Sequence, residues 1–212
     1  MLAGLDLAGI AVFAVSGALV ASRKLMDPVG FALIATITGI GGGTLRDLLL
    51  DRDVFWVQQP HYVGVCTAFA LLVYVLAPHI EYRYRVLLWA DAAGLSLFCV
   101  LGAKLAIDSG ASGPIAIVMG LLTATFGGLI RDVLCNETPL ILRHEIYATA
   151  ALAGALAYVL LEAASLPYGG AELGGIGVCF LVRAFGLVSG LSLPGYRPRA
   201  GRDYPVDETP GP

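Results

Sequence analysis

One six-residue pattern occurs twice in the chain, as Gly42-Gly43-Thr44-Leu45-Arg46-Asp47 and as Gly127-Gly128-Leu129-Ile130-Arg131-Asp132. Both copies interrupt long apolar runs. There a glycine costs a helix about 1 kcal/mol relative to alanine, and a charge costs more. Features this unfavourable, placed twice in register, restrict the chain to a duplicated design. The copies lie 85 positions apart, too far for a short solenoid repeat. Other residues keep the same register: Asp6 with Asp91, Gly9 with Gly94, Phe13 with Phe98, Gly17-Ala18 with Gly102-Ala103, and Tyr62 with Tyr147.

The solvent for this duplicated unit is lipid. Hydrophobic residues make up 58% of the chain and charged residues 14%, with mean hydropathy +0.81. A soluble domain carries about 25% charged residues, so too few polar groups are present to cover a water-facing surface. The net charge of −3 says little, because in a membrane the position of charge outweighs its sum. There is no basic patch for nucleic acid. No strand precedes the glycine runs and no Walker lysine follows them, which excludes a nucleotide fingerprint. His61, His79 and His144 lie in or near loops and complete no Ser/His/Asp set, so no enzyme is expected. Cys66, Cys99, Cys135 and Cys179 fall singly in apolar runs. They read as small core residues, with no disulfide framework, no structural metal site and no cofactor.

A spanning helix needs about 20 mostly apolar residues. Seven runs qualify: 5–22, 28–50, 60–77, 86–107, 114–135, 145–161 and 173–193. Pro28, Pro60 and Pro114 sit at or near helix starts, where a missing N–H costs nothing. The N-terminus lacks the basic region of a cleavable signal, so the first run reads as a retained span. Residues 1–84 and 85–167 each hold three spans. An odd number per unit turns the second copy upside down, which gives an inverted repeat. The expected fold is an all-α membrane protein with seven transmembrane helices. It has three plus three inverted helices, a seventh helix in 168–194, and kinked second and fifth helices. Residues 195–212, rich in Pro, Gly and charge, read as a disordered tail. Trp56, Tyr62, Tyr82, Tyr84, Trp89 and Tyr168 lie near span ends and suggest an interfacial belt. Arg23, Lys24, Arg83, Arg85, Arg143, Arg197, Arg199 and Arg202 share one side, against essentially Arg52 on the other. This places the N-terminus outside and the C-terminus in the cytoplasm.

Within the second span, glycines at 39 and 41–43 favour local unwinding, which membrane tolerates only against protein or water. Freed carbonyls there would be ligands for a hard cation. The fifth span offers Thr123, Thr125, Phe126, Gly127 and Gly128 at matching depth, and Thr38 and Thr44 add hydroxyl oxygens in the second. The competing reading is close helix packing, since Gly39-x-x-x-Gly43 fits the small-xxx-small pattern. Both remain open. Arg46 lies about 6 Å beyond the glycines by helical rise. That depth suits pairing of Arg46 with Asp6 and of Arg131 with Asp91, in a structural or gating role, against simple snorkelling to the headgroups. Asp47 and Asp132 are less suited to bind the cation directly. Lys104 either snorkels at its span end or places a voltage-sensitive charge beside the path. Arg183, deep in the seventh span, is expected to face the interior and meet a carboxylate.

Seven spans, the three-plus-three repeat, Gly41-Gly42-Gly43 and Phe126-Gly127-Gly128 together resemble prokaryotic members of the TRIC family, the trimeric intracellular cation channels. Relatives of this kind are also labelled glycine transporters. The resemblance covers about residues 5–193, and the paired Gly-Gly-x-x-Arg-Asp motifs are its most specific part. It implies a homotrimer in a bacterial inner membrane. Each protomer would hold its own pore, lined by the kinked second and fifth helices and conducting K⁺ or monovalent cations more broadly. It also implies a gating part for Lys104. Phe126, standing where a third glycine would complete the symmetry, departs from the pattern. The rival function is secondary transport of a small amino acid such as glycine, which inverted repeats serve equally well.

Overall fold

A computed structural model describes residues 2–80, 82–143, 145–166 and 169–192, with side chains from residue 4 onward. The tail at 195–212, Arg197, Arg199, Arg202 and Tyr168 lie outside the described residues. The described chain is helical: α1 Leu2–Arg23, α2 Pro28–Leu49, α3 Phe55–Gln58, α4 His61–Leu76, α5 Arg83–Asp108, α6 Gly113–Leu134, α7 Ala148–Ala163 and α8 Gly170–Ser189. Among the described residues six helices are long and apolar enough to cross a membrane, and α7 is a shorter apolar helix. At 16 residues, α7 is about 24 Å long by helical rise. The four-residue α3 and the 3₁₀ turn Leu140–Leu142 were not expected from the sequence.

Asp27 starts α2 by accepting the Gly30 N–H at 2.7 Å, with Pro28 at the first turn. The ends of α2 and α6 are matched. Asp51 (φ 52°) and Asn136 (φ 50°) take the left-handed conformation just beyond each helix. Asp and Asn are the side-chain-bearing residues that tolerate it best. Arg52 N–H then reaches Asp47 O at 2.9 Å and Glu137 N–H reaches Asp132 O at 2.8 Å. A second backbone bond therefore closes each helix at its Asp and turns the chain back towards the bundle.

Helix α5 is the most enclosed, with 67% of its apolar window buried, against 28% for the peripheral α4. Its partner at the centre is α1. Phe13 on α1 stacks on Phe98 of α5, its own repeat counterpart, with ring centroids 5.2 Å apart and planes 15° apart. Gly9 leaves room for Phe98 and Gly94 leaves room for Phe13. Cys66, Cys99, Cys135 and Cys179 are buried and free, as small core residues. Tyr62 is buried and packs edge-on against Phe55 at 5.0 Å, so it belongs to the core and not to an interfacial belt.

Helices α2 and α6 run as uninterrupted α-helix through both glycine clusters. This corrects the expectation of unwound backbone there. The glycines serve a crossing. A Cβ on Gly42 would fall on the Thr123 carbonyl oxygen, and a Cβ on Gly127 would fall on the Thr38 carbonyl oxygen. Thr38 and Thr123 are themselves counterparts, so the two contacts are the same contact made in both directions. Helical hydrogen bonding survives because close approach, with its dispersion contacts, offsets the low propensity of glycine. Gly42→Ala and Gly127→Ala are each expected to destabilise the protein by about 1–3 kcal/mol through overpacking. The Cβ of Gly64→Ala meets nothing within 4 Å, and this change is expected to be neutral or stabilising by up to about 1 kcal/mol. Thermal unfolding in detergent distinguishes the two classes.

Candidate ion path and its buried charge clusters

Each end of the α2–α6 crossing carries the Arg-Asp pair of its own motif, and each pair is buried. Arg131 is fully buried. Its Nε donates to Asp132 Oδ1 at 2.8 Å, and its Nη1 donates to Asp91 Oδ1 at 2.8 Å and to the Ser16 hydroxyl. Asp132 Oδ2 accepts the backbone N–H of Leu140 at 3.0 Å. The first copy repeats the arrangement. Arg46 Nε donates to Asp47 Oδ1 at 2.8 Å, and Asp47 Oδ2 accepts the Phe55 N–H at 3.0 Å.

Neither arginine snorkels. Both are held inside by carboxylates, because a buried guanidinium is tolerated only when paired and hydrogen-bonded. Asp47 and Asp132 use one oxygen on the arginine and the other on the chain that follows the helix. They therefore pin α3 and the Leu140–Leu142 turn against the bundle. In the first copy this sets the Phe55 ring over Gly43, where any Cβ would collide with it. It also brings the Trp56 indole N–H to Thr44 Oγ1 at 2.9 Å. Trp56 is thus tied to the candidate path and does not simply mark the membrane interface.

The two clusters differ in tightness. Arg131–Asp91 closes at 2.8 Å with both side chains fully buried, whereas Arg46–Asp6 stands at 3.8 Å with the Asp6 side chain 15% exposed. The first copy has no hydroxyl matching Ser16, since the counterpart of Ser16 is Leu101.

The remaining candidate charges also find carboxylates that the sequence reading passed over. Lys104 meets Glu172 of α8 at 3.1 Å. Arg183 Nη2 meets Glu145 at 2.9 Å, and its Nη1 donates to Ile146 O at 3.0 Å. Glu172 was findable as the one carboxylate of α8. Glu145 sits at a span end, where nothing in the sequence separates it from an ordinary interfacial charge.

The candidate path residues do not all converge. Gly42, Thr123, Gly127 and Thr38 meet through their backbones at the crossing. The Thr38 and Thr123 hydroxyls instead turn towards Gly17 of α1 and Gly102 of α5. Thr38, Thr44, Thr123 and Thr125 donate to the carbonyls of Ile34, Ile40, Met119 and Leu121, at 2.6, 2.8, 2.7 and 2.9 Å. Their donors are spent on the helix, and oxygen lone pairs remain. Gly41 lies beside Gly127 and Ile130, and Gly128 lies beside Tyr147, Arg131 and Asp91. Phe126 is half-buried. Among the described residues no group of His, Cys, Asp and Glu is arranged to hold a metal ion.

The geometry separates the two carboxylates that face the arginines. Asp91→Ala is expected to cost about 3–5 kcal/mol by stranding Arg131 in the interior. Asp6→Ala is expected to cost distinctly less, because Asp6 is partly exposed and more distant. Thermal midpoints of the two variants in the same detergent test the ranking.

Comparison with known proteins agrees with this architecture. A family model described as "Glycine transporter" matches residues 3–78 and again residues 88–163. The UPF0126 inner membrane protein YadS of Escherichia coli is 39% identical over 196 residues, covering 90% of this chain and 93% of that protein. A UPF0126 membrane protein of Deinococcus radiodurans is 38% identical over 181 residues, 84% of each chain. Among solved structures, the TRIC trimeric intracellular cation channel orthologue from Rhodobacter sphaeroides superposes with a TM-score of 0.87 at 53% identity. That match covers 90% of this chain and 98% of that one. A prokaryotic TRIC channel in 0.5 M KCl gives a TM-score of 0.85 at 30% identity, over 91% and 98% of the two chains. The protein described here, a multi-pass membrane protein built around a reciprocal α2–α6 crossing, belongs to the TRIC family.

Proposed function

We propose that the protein is a cation channel that conducts monovalent cations, K⁺ foremost, through one path in each protomer beside the α2–α6 crossing. The carrying observation is the reciprocal crossing flanked by two sealed Arg–Asp clusters, in a fold shared with solved TRIC channels. A path here runs between helices held apart by nothing larger than glycine. Small rotations of α2 against α6 change its width. The Thr44 and Thr125 oxygens would replace part of a cation's hydration shell, while the helical carbonyls, and the Thr38 and Thr123 hydroxyls turned towards Gly17 and Gly102, stay out of it. Few ligands of this kind favour weak selectivity over a tight dehydrating filter. Opening would bend α2 and α6 at Gly41–Gly43 and Gly127–Gly128, with Phe126 as the narrow point. In this reading Lys104 moves against Glu172 as part of gating, and Asp6, Arg46, Asp47, Asp91, Arg131, Asp132 and Arg183 hold the frame.

The same proposal covers the assembly. The two halves, 1–84 and 85–167, are inverted relative to each other across the membrane, with α8 outside the repeat. The protein acts as a homotrimer in a bacterial inner membrane, N-terminus outside and C-terminus in the cytoplasm. It needs no cofactor beyond the conducted ion, and it catalyses no reaction.

Purified protein in planar bilayers with KCl on both sides is expected to give unitary cation currents. Phe126→Ala is expected to raise unitary conductance without abolishing cation preference. Slow, saturable glycine uptake with no unitary current would overturn the channel reading and favour the transporter.

A further inference from the structure

A basic and aromatic rim surrounds the junction between the α1–α2 turn and the connection from α4 to α5. Two cavities, of about 530 and 570 Å³, meet there and share Pro78 and Arg83 in their linings. The first has Leu25, Met26, Phe31, Tyr74 and Val75 on its walls beside Ser22 and Arg83. The second is lined by Arg23, Tyr82, Tyr84 and Arg85. Arg83 stands between them. Its Nε and Nη1 reach the Ile80 and Ser22 carbonyls at 3.4 Å each. These long bonds place the guanidinium at the junction, and among the described residues nothing engages Nη2.

The rim is positive beyond its local compensation. Arg23 lies over the Tyr84 ring at 4.8 Å, Arg143 donates to the Tyr84 hydroxyl, and Arg85 lies over the Tyr82 ring at 5.9 Å. Glu137 is shared by Arg23 at 3.3 Å and Lys24 at 3.7 Å. Among the described residues no carboxylate lies within 4 Å of Arg83, Arg85 or Arg143. Stacking on tyrosine holds the arginines in place but does not neutralise them.

We propose that this junction binds one anionic glycerophospholipid, its phosphate on Arg83 and Arg85 and one acyl chain entering the first cavity. The guanidinium fork suits phosphate oxygens. The tyrosines suit headgroup depth. An ammonium-bearing headgroup is disfavoured, because arginines outnumber the described carboxylates around the phosphate position, where Glu137 is already taken by Arg23 and Lys24. The bound lipid would bridge the α1–α2 turn to the start of α5 and so tie the first repeat to the second. This proposal rests on the chain spanning a membrane and is independent of whether it conducts ions.

The test uses the full-length protein in maltoside micelles, titrated with phosphatidylglycerol and read by native mass spectrometry. Arg85 is exposed and holds no backbone group, so Arg85→Gln probes the site without disturbing the fold. It is expected to weaken phosphatidylglycerol binding about fivefold, and the Arg83→Gln/Arg85→Gln double variant about twentyfold. Arg52→Gln, on a different connection, is expected to leave binding unchanged. Phosphatidylcholine, with the same tails, and inorganic phosphate, with none, are each expected to bind at least about tenfold more weakly than phosphatidylglycerol. Binding unaffected by Arg85→Gln would overturn the proposal. Equal retention of phosphatidylcholine would reduce the site to a non-specific apolar groove, and equal binding of inorganic phosphate would reduce it to a simple anion site.

Discussion

The bundle is organised around two backbone contacts that are one contact seen from both sides: Gly42 against the Thr123 carbonyl, and Gly127 against the Thr38 carbonyl. No other residue type allows an approach this close. It brings α2 and α6 together in the middle of the fold and sets where each Arg-Asp pair can sit. Those pairs in turn determine where the chain goes next, because Asp47 and Asp132 each spend their second oxygen on a backbone N–H eight residues later. The glycine crossing, the buried charges and the returning segments are thus one connected device made twice.

The two copies of that device are not equal. The second is closed by Asp91 and Ser16 around a fully buried arginine. The first is more open, with Asp6 further away and partly exposed, and with α3 laid across it. A buried ion pair stabilises little over an apolar substitute, but it resists partial disruption strongly. The Asp6–Arg46 end is therefore the less firmly closed of the two. Phe126 in the register of Gly41 adds a second inequality. The duplication supplies the frame, and these departures make its two ends unequal.

Much of the frame was legible in the chain alone. Apolar runs located the long helices, and the depth of the charges in their spans suited pairing of Asp6 with Arg46 and of Asp91 with Arg131. The glycines were harder. Propensity argued for unwinding at 41–43, but propensity counts only local cost, and tertiary contact with Thr123 reversed the outcome. The threonines misled for a related reason. Sequence shows a hydroxyl at a given depth, not the direction in which it points, and Thr38 and Thr123 point at Gly17 and Gly102. Glu145 and Glu172 escaped notice because each depends on a partner distant in sequence, and α3 because four residues are too few to show a periodic pattern. The motif charges and their partners Asp6 and Asp91 identified themselves, whereas the partners of Lys104 and Arg183 did not.

Phe13 and Phe98 have a consequence of another kind. Each stacks on its own copy, so a change at either position alters both sides of a single shared surface. Such positions cannot drift independently in the two halves after duplication, since each acts as the template for the other. The stack therefore binds the two halves at one surface, and neither ring can change size without the other half making room for it.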